Sequence, residues 1–375
     1  MAYIAVRGGE QAIQHAEQLY RALNKKFDGE FVRSIERHLP YLVDRVMGEG
    51  SLYAPELAAL ALAQTGGDMY EAILLLRAYR STLPRLAYAE PITSETTMTV
   101  RRISAAFKDI PGGQILGPTL DYSHRIVDTE LLRDKNTGGD SQKIEAAETP
   151  SAAHYPNVSD WQRLNGLLPE VPEAEPIDPA EVPDVTREPI LFPAPRAHRL
   201  QSLARADTGG ILALSYASMR GYGLAHPTVN EVRLGYADVR LRHPITGEVF
   251  GAGRIRLSQT EIVDSQADSL QLGFAATLGW NEVKTIAAAM LDLEMDKPDP
   301  HPAHTEEFVL YHTESVEASG FCIHYKLPHY VTFNSNLDSI RRAKSQHSPK
   351  MEEDAESSEG EAELAEAENE VEAFA

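Results

Sequence analysis

Two histidines near the C-terminal end of the chain have the spacing and surroundings of metal ligands. His324 and His329 are separated by four residues, Pro328 directly precedes the second, and the only cysteine, Cys322, lies two residues before the first. Pro328 excludes a helix interior, so we predict that both histidines lie on a bent extended segment or loop. Two imidazoles that converge on one point favour a borderline cation such as zinc.

The pair by itself is an incomplete metal site, because zinc takes four protein ligands in structural sites and three in catalytic ones. The missing ligands must come from another chain or from elsewhere in this one. In the second case the chain is a stand-alone zinc hydrolase, with His226, His312 and Glu307 as further candidates. The competing interpretation is two ordinary histidines in a strand and turn, since H-x4-H without a cysteine pair is a weak metal signature.

A second group of candidate residues surrounds the glycine-rich segment KDIPGGQILGPTLDYSHR at residues 108–125. Its glycines and prolines predict a tight loop whose backbone can approach a ligand closely. Basic residues are concentrated around this loop: Arg77, Arg80, Arg85, Arg101, Arg102, Lys108 and Arg125. Guanidinium groups and the N–H groups of glycine turns both bind phosphate oxygens, so the pattern predicts a phosphate site. The alternative is that the arginines cover a helical surface and pair with Glu71, Glu90 and Glu95.

The same loop carries the titratable residues Asp109, Asp121 and His124. A weaker cluster at residues 220–236 contains Arg220, Tyr222, His226, Glu231, Arg233 and Tyr236. It suits a base-stacking loop and an ordinary hairpin almost equally. Signatures of P-loop nucleotide binding, of serine hydrolases, of zinc proteases and of radical iron–sulfur clusters are absent from the sequence. We therefore expect no iron–sulfur cluster in this chain.

Composition limits the class of protein. The chain has 375 residues, a formal net charge of −21 and 42% hydrophobic residues, so it is a globular protein and an improbable partner for nucleic acid. No apolar run is long enough to span a membrane and no secretion signal is visible. A single cysteine fits a reducing compartment, so we predict a cytoplasmic protein.

Hydrophobic periodicity predicts an α+β fold: an N-terminal helical unit followed by a mixed region with antiparallel strands. We divide the chain into residues 1–128, a proline-rich variable linker at 129–195, a second α+β part at 196–345 and a disordered acidic tail at 346–375. Helices are predicted at 10–26, 31–47, from Pro55, after Asp68, around Trp161 and at 280–292. Strands are predicted at 3–9, 97–105, 239–241, 249–257 and 308–311, with a hairpin turn at Thr246 and Gly247.

Several long motifs resemble the PhnI subunits of bacterial carbon–phosphorus lyase, over about residues 3–128 and 196–335. They occur in the order RVMGEG (45–50), PELAALAL (55–62), EAILLLRAYR (71–80), RRISAAFKDIPGGQILGPTLDYSHR (101–125), RGYG with HP (220–227), EEFVLYH (306–312) and GFCIHYKLPHYV (320–331). The linker and the acidic tail do not share the resemblance.

The resemblance implies that the chain acts on the N-glycosidic bond of ATP or GTP. Such subunits alone are nucleosidases that release the base and ribose 5-triphosphate. With PhnG, PhnH and PhnL they transfer the ribose 5-triphosphate group to an alkylphosphonate such as methylphosphonate and release adenine. The resemblance also implies a core hetero-octamer with two copies each of PhnG, PhnH, PhnI and the radical subunit PhnJ, and further association with PhnK.

The resemblance further implies that His324 and His329 are zinc ligands at the interface with PhnJ, which supplies thiolates. For the glycosidic chemistry we expect Arg101, Arg102, Lys108, Gly112, Gly113 and Arg125 to hold the triphosphate or phosphonate, with magnesium. Asp109, Asp121 and His124 are the candidates for general acid, base or stabiliser of the oxocarbenium-like transition state. The competing function is a scaffold that completes the zinc and active sites of PhnJ with little catalysis of its own.

Overall fold

A computed structural model of the chain describes residues 9–23, 28–132, 155–171, 181–219, 226–266 and 268–347. The chain divides into a larger unit, residues 14–320, and a smaller one whose described residues are 9–13 and 321–347. Three predicted features lie outside the described residues: the strand at 3–9 except Gly9, which begins a helix, the residues Arg220 and Tyr222, and the acidic tail after residue 347. Among the described helices, none combines the length and the apolar character that crossing a membrane requires.

The structure describes helices both before the first strand and after the last, and three between the first and second strands. They are α1 (Gly9–Leu23), α2 (Gly29–His38), α3 (Pro40–Gly50), α4 (Pro55–Gln64), α5 (Met69–Ser81), α6 (Val158–Leu164), α7 (Arg196–Arg205), α8 (Thr208–Ser215), α9 (Glu282–Met295), α10 (Glu306–Tyr311), α11 (Ser315–His324) and α12 (Tyr330–His347). The strands are β1 (Thr97–Ile103), β2 (Thr228–Arg242), β3 (Val249–Gln266) and β4 (Ser269–Leu278).

The four described strands form one antiparallel sheet in the order β1-β2-β3-β4. Strands β2 and β3 pair through the predicted hairpin, whose turn is closed by mutual backbone hydrogen bonds of 2.9 Å between His243 and the residues Gly247 and Glu248. Helix α9 packs on β3 and β4, and Leu291, Ile262 and Leu203 belong to the core beneath it. The predicted α+β class with antiparallel strands is confirmed.

The first helices build a separate hydrophobic core. Helices α2 to α5 contact one another through buried residues that include Val43, Met47, Leu62, Ile73 and Leu76. Helix α5 begins as predicted, because the Asp68 side chain accepts a hydrogen bond from the Glu71 N–H at 3.2 Å. This core confirms the N-terminal helical unit.

The predicted helix over 31–47 is wrong in one respect, because Pro40 divides it. Helix α2 ends at His38, and α3 begins with Pro40 at its first position. Proline has no N–H to donate within a helix, and its ring clashes with the preceding turn, whereas neither matters at a helix start. Helix α3 also continues through Gly50, and Ser51 ends it with a left-handed φ of 54°.

Two predicted extended segments are helical. The run Phe308–Tyr311 belongs to α10, because a short apolar run does not distinguish a strand from a buried helix. The histidine segment is a helix–turn–helix. The prediction of an extended segment or loop is wrong for His324, which ends α11, whereas His329 lies in the predicted loop, directly before α12 begins at Tyr330. Pro328 does exclude a helix interior, since it lies in the short connection.

Candidate functional site

Arg102 holds the glycine-rich loop against strand β1. Its fully buried Nη1 donates hydrogen bonds to the carbonyls of Pro111 (2.6 Å) and Gly113 (2.9 Å). Nη2 donates to the carbonyl of Pro156 at 2.8 Å, and Nε pairs with Glu231. Four of the five guanidinium N–H groups are thus committed within the protein. Arg102 positions the loop and has almost nothing left for a ligand.

Arg101 ties down the other side of the same loop. Adjacent strand residues point to opposite faces, so Arg101 reaches α9, where its Nε and Nη2 bind both oxygens of Glu282 at 3.1 Å. Its Nη1 donates to the Leu116 carbonyl at 2.6 Å, and Nη2 also donates to Asp121 at 2.5 Å. Asp121 is exposed, so a buried arginine holds a solvent-facing carboxylate in one place.

The other residues predicted for this site are on the surface of the loop. Lys108, Asp109, His124 and Arg125 are exposed, and none of their side chains forms a hydrogen bond or ion pair with another residue in the described ranges. Gly112 and Gly113 turn the loop with φ values of 81° and 77°, which favour glycine. The Gly113 N–H donates to the Ile110 carbonyl at 2.9 Å within the turn, whereas the Gly112 N–H makes no backbone hydrogen bond among the described residues.

A buried polar network lies beneath the loop. The sequence patterns indicated its members Arg102, Glu231 and Arg233 but not Glu261. Glu231 and Glu261 are directly opposite each other on β2 and β3, and both are buried. Glu231 accepts hydrogen bonds from Arg102 and Arg233, and Glu261 accepts them from Ser159 at 2.7 Å and from Asn230 at 2.9 Å. Burial raises the pKa of Glu261, and repulsion by the Glu231 carboxylate raises it further. The hydrogen bonds from Ser159 and Asn230 lower the pKa but do not cancel the effect of burial.

This network anchors the segment around α6 to the sheet. Gln162 of α6 exchanges two hydrogen bonds with Asn230, at 2.7 and 2.9 Å. Trp161 packs edge-on against Phe107 of the glycine-rich loop, with ring centroids 5.4 Å apart. The short helix predicted around Trp161 is therefore present, and it supports the candidate site. Charged residues within the apolar pattern of β2 and β3 were the available signal for the network.

The smaller unit brings His324 and His329 together. Their Nε2 atoms are 3.2 Å apart, with the rings nearly perpendicular. Nδ1 of His329 lies 2.6 Å from the Leu327 carbonyl, which holds the proton on Nδ1 and leaves the lone pair on Nε2. No third His, Cys, Asp or Glu in the described part of the chain joins them to form a metal-binding group. The pair has the geometry of two ligands of an incomplete site.

The same segment exposes large apolar side chains. Phe321, Tyr325, Tyr330 and Phe333 are each more than half exposed. Apolar surface concentrated around a pair of histidines is typical of a surface that another protein covers.

A separate cavity of about 440 Å³ lies in the larger unit and contains part of the predicted arginine cluster. Arg80 and Arg85 line it together with Arg205, Asp184 and Tyr88. The predicted basic cluster contains Arg80 and Arg85 but not Arg205 and Asp184, which come from α7 and from the proline-rich region. That cluster is thus divided. Arg101, Arg102, Lys108 and Arg125 are at the glycine-rich loop, Arg80 and Arg85 line this cavity, and Arg77 pairs with Glu314.

Comparison with known proteins assigns the chain to a class of bacterial proteins of phosphonate metabolism. The family model described as "Bacterial phosphonate metabolism protein (PhnI)" matches residues 2–347. This chain therefore belongs to the PhnI family, as the motif resemblance predicted.

Several relatives are similar to this chain over nearly their whole length. The "Putative C-P lyase subunit protein HtxH" of Stutzerimonas stutzeri is 42% identical over 361 residues, which cover 91% of this chain and 95% of the relative. The "Alpha-D-ribose 1-methylphosphonate 5-triphosphate synthase subunit PhnI" of Rhizobium meliloti is 40% identical, covering 92% and 95%. The Escherichia coli protein of the same name is 40% identical, covering 91% and 98%.

Proposed function

We propose that this chain acts in phosphonate catabolism, as the subunit that cleaves the N-glycosidic bond of ATP or GTP and transfers the ribose 5-triphosphate group to an alkylphosphonate. The observation that carries the proposal is 40% identity, over more than nine-tenths of each chain, to two relatives named as subunits of a ribose 1-methylphosphonate 5-triphosphate synthase.

The reaction exchanges one bond at C1 of the ribose. A phosphonate oxygen forms the new C1–O bond while the C1–N bond to the purine breaks, and the base leaves with that electron pair and takes up a proton. When water replaces the phosphonate, the same step releases ribose 5-triphosphate and makes the chain a nucleosidase. A phosphonate is already anionic, so it requires positioning more than deprotonation.

The glycine-rich loop offers groups for each part of this chemistry. Lys108, Arg125 and the Gly112 amide face solvent and can bind phosphoryl oxygens, with magnesium as the counter-ion of the nucleotide. Asp121, held by Arg101, is placed to stabilise positive charge at C1, and His124 and Asp109 are the candidates for proton transfer to the base. Arg101 and Arg102 act by holding the loop.

Base release from ATP tests this assignment directly. The purified full-length chain is incubated with ATP or GTP, and free adenine or guanine is measured with and without methylphosphonate. His124→Ala and Asp121→Ala are expected to lower the rate on the order of 100-fold or more. If both variants release base at the unchanged rate, the glycine-rich loop is not the catalytic site.

We further propose that His324 and His329 supply two ligands of a zinc ion whose remaining ligands are thiolates of PhnJ. A tetrahedral zinc with its usual Zn–N distance requires two ligand nitrogens about 3.3 Å apart, and the Nε2 atoms are 3.2 Å apart. In this assembly PhnG, PhnH and PhnJ are core partners, and PhnL and PhnK associate with them. Metal analysis of the chain alone and of the co-purified complex tests the sharing: stoichiometric zinc without any partner would contradict it.

The alternative function is that of a scaffold which completes the PhnJ site and catalyses little. The exposed aromatic residues around the histidine pair favour it as an additional role. A well-folded chain that releases no base from ATP, alone or with its partners, would support the scaffold and exclude the nucleosidase.

A further inference from the structure

The arginine-lined cavity of the larger unit carries a local surplus of positive charge in a strongly acidic chain. Its walls come from α5 (Arg80), the segment after α5 (Arg85, Tyr88), residues 182–186 and the end of α7 (Arg205). Arg77 and Arg187 interact electrostatically with these groups, and the facing carboxylates are Asp184 and Glu314. Five guanidinium groups share these two carboxylates and the exposed Glu188, whose Oε1 lies 3.5 Å from the Asp184 nitrogen, so positive charge is in surplus.

Both carboxylates are already engaged by other arginines of the cluster. Asp184 pairs with Arg85 and accepts hydrogen bonds from the N–H (2.9 Å) and hydroxyl (2.6 Å) of Thr186. Glu314 accepts a 2.5 Å hydrogen bond from Arg77 and lies 3.4 Å from Nε of Arg205. Arg85 and Arg187 therefore share Asp184, Arg77 and Arg205 share Glu314, and Arg80 pairs with neither carboxylate.

Among the described residues, Arg80 lacks a partner, and Arg205 has only its 3.4 Å ion pair with Glu314, a carboxylate that Arg77 also uses. No hydrogen bond or ion pair joins the Arg80 guanidinium to another residue in the described ranges, although its side chain is partly buried. The buried Nε of Arg205 makes no hydrogen bond within the same residues. Burial lowers the pKa of both guanidinium groups, and repulsion from neighbouring arginines adds to the effect. A protein maintains such a cost where an anion offsets it.

The simplest competing explanation is that these arginines compensate helix dipoles, since Arg80 and Arg205 are in the last turns of α5 and α7. That effect requires one exposed cation at each helix end. It does not explain why both converge with Arg85 on one cavity of about 440 Å³, which is within the size range of small-molecule sites.

We propose that this cavity binds the triphosphate chain of the nucleotide, and that the basic residues of the glycine-rich loop hold the phosphonate instead. Arg80 and Arg205 are the principal contacts of the triphosphate, and Asp184 orients Arg85 beside them. The identity of the ligand rests on the proposed function, whereas the anion site rests on the arginines themselves. Guanidinium groups spread around one cavity suit successive phosphoryl groups better than a single phosphonate. Tyr88 also lines the cavity, and the centroid of its ring is 4.8 Å from Cζ of Arg85. This ring offers an aromatic face for the rest of the nucleotide.

Titration of the full-length chain with inorganic triphosphate, followed by calorimetry, tests the site without any catalysis. Arg80→Gln is expected to weaken binding on the order of 10- to 100-fold, the effect of one lost hydrogen bond to a charged group. Because Arg80 pairs with no described carboxylate, its replacement leaves no buried charge unpaired and the fold is preserved. Arg80→Lys retains the positive charge but loses the bidentate hydrogen bonding of the guanidinium group. Its affinity for triphosphate is expected to lie between those of Arg80→Gln and the parent chain. Arg254→Gln removes an equal charge from an exposed ion pair on β3 and serves as the matched control.

Comparing inorganic triphosphate with methylphosphonate shows which anion the cavity binds. Triphosphate binding that Arg80→Gln weakens and Arg254→Gln does not supports the site. If triphosphate binds equally well to both variants, or if only methylphosphonate binds in an Arg80-dependent manner, the triphosphate assignment is overturned.

Base release from ATP then separates this inference from the proposed function. A raised KM for ATP in Arg80→Gln, with kcat nearly unchanged, supports both. Arg80-dependent triphosphate binding in a chain that never releases base supports the anion site and overturns the nucleosidase. Base release with an unchanged KM in Arg80→Gln supports the nucleosidase and overturns the cavity as its triphosphate site.

Discussion

His324 and His329 bring their Nε2 atoms to 3.2 Å although one ends a helix and the other precedes the next. The four residues between them allow the chain to reverse, and Pro328 stops α11 from continuing. The Leu327 carbonyl then fixes the proton of His329 on the nitrogen that faces away from the pair. The turn thus holds two imidazole nitrogens at the separation that the proposed zinc site requires.

Removing either histidine is expected to abolish zinc binding. In the co-purified complex, His324→Ala or His329→Ala should reduce zinc from stoichiometric to near zero, because a zinc site that loses one ligand of four is no longer tetrahedrally closed. The zinc content is measured by elemental analysis. His15→Ala, which removes an exposed histidine from α1, is the control and should leave the zinc content unchanged. Full zinc occupancy in both pair variants would contradict the assignment.

Arg102 is expected to be among the most important residues for stability. Arg102→Met leaves Glu231 short of a buried partner and the carbonyls of Pro111 and Gly113 without donors, which should cost about 3–5 kcal/mol of unfolding free energy. Urea unfolding followed by circular dichroism measures the loss. Arg341→Gln removes a largely exposed ion pair with Asp338 and should cost less than about 1 kcal/mol. If both variants lose a similar unfolding free energy, the buried pair of Arg102 and Glu231 stabilises the protein no more than an exposed ion pair does.

Two glycines of the loop are expected to respond differently to the same substitution. Both have positive φ, 77° at Gly113 and 62° at Gly117, so Gly→Ala costs about 1–2 kcal/mol at either. At Gly117 the new Cβ would also lie 2.5 Å from the Val100 carbonyl oxygen, whereas at Gly113 no atom is within 4 Å. Thermal unfolding should therefore show Gly117→Ala clearly less stable than Gly113→Ala. Equal midpoints would mean that the loop does not pack on β1 as described.

The fully buried Lys284 is expected to make the stability pH-dependent. Burial lowers its pKa to about 8, opposed by the attraction of Glu49, and its Nζ has no hydrogen-bond partner among the described residues. Below pH 8 the lysine is protonated in both the folded and the unfolded chain, so the cost of burying the charge is fully present. Between about pH 8 and its ordinary pKa of 10.5 only the unfolded chain retains the proton, so the unfolding free energy rises with pH.

Lys284→Met should remove this rise and increase the unfolding free energy at pH 7 by roughly 3 kcal/mol. Urea unfolding of both proteins at several pH values between 7 and 10 provides the comparison. Lys297→Met is the contrasting control: burial opposes the charge there, but hydrogen bonds to Glu294 and Asp264 outweigh it and raise the pKa of Lys297. That variant should be destabilised at neutral pH. A parallel pH dependence in Lys284→Met and the parent chain would contradict the prediction.

Asp121 and Glu282 share Arg101 and allow catalytic and structural effects to be separated. Asp121→Asn should lower kcat for base release strongly and leave KM for ATP nearly unchanged, because the carboxylate acts on the transition state. Glu282→Gln loosens Arg101 without removing the carboxylate and should have a much smaller effect. Equal losses of kcat in the two variants would indicate that Asp121 only positions the loop.

Local signals in the sequence determined much of this protein. The Asp68 cap, the hairpin turn at 243–248 and the breaking effect of Pro328 depend on neighbouring residues alone, and the structure follows them. The motifs also identified the family and the histidine pair. The errors occurred where local signals compete: Pro40 divides an otherwise continuous apolar stripe, and the run at 308–311 fits a strand and a helix equally.

Tertiary structure alone decided which charges meet. The sequence pattern predicted Arg101 and Arg102 as phosphate ligands. Their carboxylate partners, Glu282 and Glu231, are 181 and 129 residues away along the chain, so the pattern did not indicate these ion pairs. Likewise, Arg205 joins Arg80 only because α7 packs near α3 and the end of β4. Helical and turn propensities act over a few residues, whereas an ion pair or a cavity depends on how distant segments fold together. The sequence therefore identified the histidine turn and the basic residues, and the fold separated the arginines that support the loop from those that are left to bind an anion.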